Sequence, residues 1–162
     1  MSYVIRKAEI SDCKNLLGLI KELAIYEKEP DAVKTTVQDL KRDGFGSEAP
    51  RFQSLVVEDE GGELVGFALY FFTWSTWEGR STLYLEDLFV DPAQRGRGMG
   101  VALFKRLARI AMDQSCLRFE WSVLDWNNLA RDFYHRLGAK HKEGWLPYRL
   151  EGQPLVDLAI DC

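Results

Sequence analysis

The stretch VDPAQRGRGMGVALF, residues 90–104, decides the fold. An apolar strand ends at Val90, Asp91 and Pro92 close it, and Gly96, Gly98 and Gly100 alternate with Arg97 and Met99 before an apolar helical run begins. Glycine reaches backbone conformations that other residues avoid and loses more entropy on folding, so a cluster of three at a helix start has a reason. Several backbone N–H groups and the positive end of the helix dipole converge at such a junction, and Arg95 and Arg97 add charge-assisted donors. The pattern predicts a strand–turn–helix cradle for an anion of pyrophosphate size. It has neither the G-x-x-x-x-G-K-[ST] spacing nor a dinucleotide fingerprint, which argues against ATP and NAD.

Outward from this stretch, MGVALFKRLARIAMDQ reads as an amphipathic helix with Val101, Leu103, Phe104, Leu107, Ala108 and Ala111 inward, and CLRFEWSVLD returns to strand. Upstream, FQSLVVEDE, LVGFALYFFTWS and STLYLEDLFV are β-rich runs joined by the turns EGGE and TWEGR, a three-strand antiparallel meander. The chain opens with the strand YVIRKA. A helix follows with Cys13, Leu16, Leu17, Ile20, Leu23 and Ala24 inward and Ser11 or Asp12 as N-cap. A short second helix is capped by Thr36, has Asp39 three residues on, and stops at Gly44. NNLARDFYHRLG is a last helix ending at Gly138, and WLPYRLEG and PLVDLAID read as closing strands. These elements predict one domain over residues 1–162, an α/β fold with a mixed, mostly antiparallel sheet flanked by helices on both faces. Pattern alone does not give the strand order.

Composition narrows the function. With 28% charged residues and a net charge of −4, the chain lacks the basic surface of a polyanion binder, so nucleic acid is not an expected partner. No segment approaches the roughly 20 apolar residues of a membrane span, so no membrane partner is expected either. Cys13, Cys116 and Cys162 are scattered and odd in number, with no C-x-x-C pair. This favours free thiols in a reducing cytoplasm over a disulfide framework or a zinc site. Cys116 opens an apolar strand and reads as packed, and the two histidines, His135 and His141, read as surface residues, so no metal is expected. Between Glu58 and Asp91 stand eight acids and one base, Arg80, an imbalance that favours a cationic ligand.

Two further groups carry chemistry. Glu86 and Asp87 interrupt YLEDLFV; strand alternation sends them to opposite faces, and an enclosed carboxylate is costly unless paired, hydrogen-bonded or functional. On the last helix, Asn127, Ala130 or Arg131, and Tyr134 share one face, while Leu129, Phe133 and Leu137 share another. By themselves, Asn127 reads as an N-cap and Tyr134 as a half-buried aromatic.

RGRGMG resembles the R-x-x-G-x-G signature of the GNAT acetyltransferase superfamily, and VLDWNNLARDFYHRLGA resembles its second motif. LIKELAIYEKE, DGFG, YLEDLFV, LDWN, FYHRLGA and EGW resemble, in order, segments of the diamine acetyltransferase family, with its polyamine and thialysine branches. The resemblance implies a GNAT-type sheet, acetyl-CoA as co-substrate, and acetyl transfer to the primary amine of a small molecule, a thialysine- or lysine-like amino acid or a di- or polyamine. It assigns the backbone of Leu88, Phe89 and Val90 to the pantetheine arm and residues Arg95, Gly96, Arg97, Gly98, Met99, Gly100 and Val101 to the pyrophosphate. Asn127, Ala130 and Tyr134 would line the cofactor. Glu86 would take the amine and help draw off its proton, a strand N–H near Phe89 would hold the oxyanion, and Tyr134 would protonate the leaving thiolate. Tyr26, Glu27, Asp87, Glu120, Trp121, Ser122 and Glu143 would shape the amine pocket. TWSTWEGR is more similar to the thialysine branch, since the polyamine branch carries an acid at the position of Ser75; separately, Leu137 stands where the polyamine enzymes have a basic residue. The resemblance also implies a homodimer in which LVDLAID packs or exchanges across the two-fold. A protein lysine or N-terminal acetyltransferase and a non-catalytic acyl-CoA-binding module are the alternatives; the presence of both Glu86 and Tyr134 counts against the second.

Overall fold

Alternating apolar residues place five strands around an amphipathic helix on each side. The computed structural model describes residues 2–160, and the chain falls into two compact units, Met1–Leu124 and Asp125–Cys162. The first contains β1 (Tyr3–Lys7), α1 (Cys13–Tyr26), α2 (Val37–Phe45), β2 (Gln53–Asp59), β3 (Leu64–Ser75), β4 (Arg80–Val90), α3 (Met99–Asp113) and β5 (Arg118–Trp121). The strands lie in the order β1-β2-β3-β4-β5; β1 to β4 pair antiparallel and β5 joins β4 in parallel after the crossover through α3. The mixed, mostly antiparallel sheet expected from the sequence is the one observed.

Val56, Phe67, Leu69 and Phe89 turn to one face and pack with Cys13, Leu16, Leu17 and Leu23 of α1. On the other, Phe104 of α3 meets Phe119 and Trp121 of β5 at ring-centre distances of 5.5 and 5.0 Å. Each such side chain buried contributes about 1.5–3 kcal/mol. In α1, Leu19 is buried and Ile20 only half-buried. In α3, Ala108, expected inward, is exposed, because Met99, Leu103, Leu107 and Ala111 at intervals of four already form the buried stripe and Ala108 lies on its flank.

The helix ends refine three expectations. Asp12 does stand at the N-cap of α1, but its carboxylate makes no bond into that helix; it accepts the Glu9 N–H at 2.7 Å, across the single 3-10 turn Ile10–Asp12, and two hydrogen bonds from Arg6, at 2.7 and 3.0 Å. α2 has the expected Thr36 cap with Asp39, but runs past Gly44 to Phe45. Gly44 makes room for the Phe52 ring, which lies where a Cβ would sit, and the helix is closed by Gly46. In the second unit, α4 (Asn128–Arg136) ends at Gly138 as expected, whereas WLPYRLEG forms no strand and residues 154–160 of PLVDLAID lie within a helix, α5 (Gln153–Ile160), Asp161 falling outside the described residues. Pro154 suits the first turn of a helix, and a helix satisfies its own backbone, whereas a strand must find an edge.

Three helices close with the same hydrogen-bond pair. Glu29 N–H bonds to Ala24 O and Lys28 N–H to Ile25 O after α1, Cys116 to Ala111 and Ser115 to Met112 after α3, and Ala139 to Tyr134 and Gly138 to His135 after α4. This is the Schellman closure, with a left-handed residue one beyond the cap. Only α4 has glycine there (φ 88°); α1 has Lys28 (φ 66°) and α3 has Ser115 (φ 57°). A left-handed conformation costs an L-residue about 1–2 kcal/mol, part of which glycine gives back through its freer unfolded chain. Ser115→Gly is therefore expected to stabilise the protein by about 1 kcal/mol and raise Tm by about 2–4 °C in a thermal melt; an unchanged or lower Tm contradicts this account of the helix end.

Candidate active site

β3 and β4 pair regularly up to Tyr70 with Leu85, then resume with Leu69 opposite Asp87, leaving Glu86 as one extra residue on β4. This β-bulge changes the expected alternation. Directly opposed residues share a face, so Leu85 goes with Tyr70 to the α3 side, while Asp87 goes with Leu69 to the α1 side. Without the extra residue, Asp87 would follow Leu85 into the packing beneath α3.

The bulge also marks where the sheet opens. β5 pairs with β4 only from Thr82 to Leu85, so beyond it no described strand pairs with the β5-side edge of β4. Leu88, Phe89 and Val90 lie on this length of strand, whose unpaired backbone groups suit an extended ligand that bonds as a strand does. Their side chains anchor it from the other direction: Phe89 and Val90 are buried and Leu88 half-buried.

At the end of that edge comes the glycine turn. Asp91 accepts the Ala93 N–H, Pro92 starts a single 3-10 turn, and Gly96 and Gly98 take φ values of 81° and 79°. Gly98 is the N-cap of α3 and offers no side-chain acceptor, and the first bond within the helix is Ala102 N–H to Gly98 O. The N–H groups of Met99, Gly100 and Val101 precede that bond, so the turn presents uncapped donors at the positive end of the helix. Arg97 donates to the Gln94 side-chain oxygen, and the exposed Arg95 stacks on the half-buried Tyr26 ring. These residues fit a diphosphate.

Most of the acids in the acidic segment have structural partners. Glu58 pairs with Arg6 and Glu78 with Arg118, each at 2.8 Å. Asp59 accepts N–H groups from its own turn, Glu60 holds Ser2, and Asp91 caps the start of the glycine turn. Glu86 and Asp87 have no such task. Glu86 is exposed at the bulge, whereas Asp87 is half-buried, and burial, followed by the charges of Glu86 and Glu27, pushes its carboxyl up to about 6. Glu27, the C-cap of α1, is half-buried and is itself raised by burial. The charges of Glu86 and Glu27 both act on Asp87, and a like-charged neighbourhood of this kind favours a cation beside it.

Glu120 and Trp121 are half-buried on β5, Trp121 edge-on to Phe119 and Phe104, and exposed Ser122 shares a 3.2 Å hydrogen bond with the Tyr84 hydroxyl. In the second unit, the Asn127 side chain caps α4 by accepting the Ala130 N–H at 3.2 Å. Tyr134 is half-buried beside Phe133, four residues on from Ala130 on the same helix face. Glu143, His135 and His141 are exposed. Among the described residues, no cluster of three or more His, Cys, Asp or Glu could hold a metal. Cys13 and Cys116 are buried thiols raised by that burial, and Cys162 lies outside the described residues.

Three positions had no signal in the sequence. Tyr84 and Gln94 matter only through the groups they hold. Gly66 stands opposite Val90, and a Cβ there would come within 2.9 Å of the Phe89 carbonyl oxygen.

A sheet that opens beside a glycine turn, with carboxylates at the bulge, describes a transferase of acyl groups, and residues 16–139 match the Acetyltransferase (GNAT) family. The chain belongs to that family, whose acetyltransferases use acetyl-CoA. It is 45% identical to the thialysine N-epsilon-acetyltransferase of Sus scrofa, over 98% of each chain. It is 40% identical to a human spermidine/spermine N(1)-acetyltransferase-like protein 1, over 97% of this chain and 24% of that one. Among solved structures, an integron cassette protein from the mobile metagenome of V. cholerae superposes with a TM-score of 0.82 at 31% identity, covering 98% of both chains.

The raised Asp87 carboxyl has a definite consequence for stability. Its folded-state pKa lies above the unfolded value near 3.9, so the native state loses stability as pH rises from about 4 to about 6. Asp87→Asn is expected to be more stable than the parent above pH 6, by up to about 3 kcal/mol, and about equal to it below pH 4. Urea denaturation at pH 4, 6 and 8 checks this, and a constant difference across that range contradicts it.

Proposed function

We propose that this acetyltransferase moves the acetyl group of acetyl-CoA to the primary amine of a small cationic molecule, a thialysine- or lysine-like amino acid or a short polyamine. The observation that carries the proposal is the bulge that sets Glu86 and Asp87 beside a strand edge and a turn suited to the acyl donor, with the charge of Glu27 acting on Asp87. Relatives named for thialysine and for spermidine/spermine support the amine, and Ser75, whose hydroxyl accepts the Glu78 N–H within its turn, favours a single-amine substrate over a long polycation. The family match spans 124 and 125, which supports one acetyltransferase domain over residues 1–162.

A primary amine with a pKa near 10.4 is neutral only about once in a few thousand molecules at pH 7, and only the neutral form attacks a carbonyl carbon. Glu86 binds the ammonium, directly or through a water, and takes its proton. Asp87, with its carboxyl near 6, adds charge to the site and is basic enough to share that proton. Acetyl-CoA supplies the activated thioester. The N–H groups of Leu88 and Val90, which alternate with those of Phe89 and Asp91 turned to β3, orient it along the open edge and oppose charge on the acetyl oxygen. Arg95, Arg97 and the N–H groups of Met99, Gly100 and Val101 take the diphosphate, and Tyr134 returns a proton to the departing sulfur. Glu120, Trp121, Ser122, Tyr26 and Glu143 complete the amine pocket, and Asn127 and Ala130 the donor's surroundings. The exposed Leu155, Val156, Leu158 and Ile160 support a homodimer, and buried thiols without a disulfide support a cytoplasmic location.

CoA release in the presence of acetyl-CoA, followed against thialysine, lysine, spermidine, putrescine and a lysine peptide, tests this directly. Turnover is expected with a small amine, lowered by about 10²–10⁴ in Tyr134→Phe and Glu86→Gln. Turnover with the peptide alone, or with no amine despite acetyl-CoA binding, would sink the proposal.

A further inference from the structure

The Arg95 guanidinium lies 4.8 Å over the centre of the Tyr26 ring, within cation–π range. That ring packs against the core on the α1 side, so Tyr26 stands between the buried interior and the glycine turn. It is the last residue of α1; its neighbour Glu27 is the C-cap, and the charge of Glu27 acts on Asp87. The Schellman closure through Lys28 and Glu29 holds this end of the helix in one conformation. A cation of the diphosphate turn and an acid of the amine site therefore depend on two consecutive residues of one pinned helix end.

We propose that Tyr26 is a positioning residue that couples the two substrate subsites: its ring holds Arg95 ready for the donor's diphosphate, and the same helix end carries Glu27 of the amine pocket as its cap, so that filling one subsite tightens the other. The proposal rests on the reading of the glycine turn as the acyl-donor site. Arginine suits the task because its flat face can lie on an aromatic ring while its N–H edge still donates. Stacked in this way, it has given up rotamer freedom before the ligand arrives. A diphosphate that engages Arg95 fixes Tyr26 as well, and with it the backbone from which Glu27 projects. Coupling of this kind is reciprocal: CoA must tighten amine binding by the factor by which the amine tightens CoA.

Calorimetric titration of the full chain with CoA, and with thialysine and putrescine in the presence and absence of CoA, tests the coupling without turnover. Tyr26→Phe, which keeps the ring face, is expected to bind CoA within twofold of the parent, and Tyr26→Leu about two- to fivefold more weakly. In an Arg95→Ala background, Tyr26→Leu is expected to add nothing. CoA is expected to tighten at least one of the two amines in the parent but neither in Tyr26→Leu nor in Arg95→Ala. Should Tyr26→Leu fail to fold, Arg95→Ala, a change at an exposed turn, decides the question. CoA binding that is unchanged in Tyr26→Leu, or equally weakened with and without Arg95, overturns the proposal, as does an amine affinity indifferent to CoA in the parent. A parent chain that binds no CoA overturns the donor reading beneath it as well, a result distinct from CoA binding without coupling.

Discussion

The extra residue at Glu86 is the constraint on which the rest of the site depends. A regular β4 would carry Asp87 into the packing beneath α3, and no gain in that core would offset an ionised carboxylate enclosed there. One inserted residue turns Asp87 toward the end of α1, where other carboxylates stand near it, and does so just where β5 stops. Facing and opening coincide because a bulge bends and twists its strand, which is incompatible with continued flat pairing on both edges. The turn of Asp87 and the open edge of β4 are thus two results of one irregularity.

Much of the fold is legible in the sequence because local pattern and tertiary burial agree. Thr36 with Asp39, the amphipathic run of α3, the glycine at 138 and the strand–helix–strand crossover each express a local rule that packing reinforces. Where the two part, the sequence misleads. Asp12 stands at the N-cap of α1 yet gives its carboxylate to Arg6 and the Glu9 N–H; Gly44 has the look of a helix stop and makes space for Phe52. The terminal apolar run has no periodicity strong enough to separate strand from helix, and Pro154 in a first turn favours the latter.

The site follows the same division. The glycine turn is visible because its requirement is local: two left-handed residues and a bare helix start. The acidic pair is visible as an interruption in an apolar strand. Its orientation is not, since a bulge depends on the partner strand and leaves no mark of its own in YLEDLFV. Nor does the excess of acids between Glu58 and Asp91 identify a cation site by itself; arginines from distant parts of the chain neutralise two of them, and turns engage others. Only the folded topology separates the acids that hold the chain together from those left to meet a ligand.

Gly66 extends this dependence beyond the chemistry. It touches no proposed ligand, yet it lies against the carbonyl of Phe89, on the strand length whose other edge is open. Any larger residue at 66 must push β4 outward or give up a ladder bond, and either displacement would be felt at the open edge. A position with no functional group is therefore held as narrowly as one that handles protons. Over evolutionary time its substitution would have to travel with changes in β4, and such paired drift would trace the course of the open strand edge from its paired side.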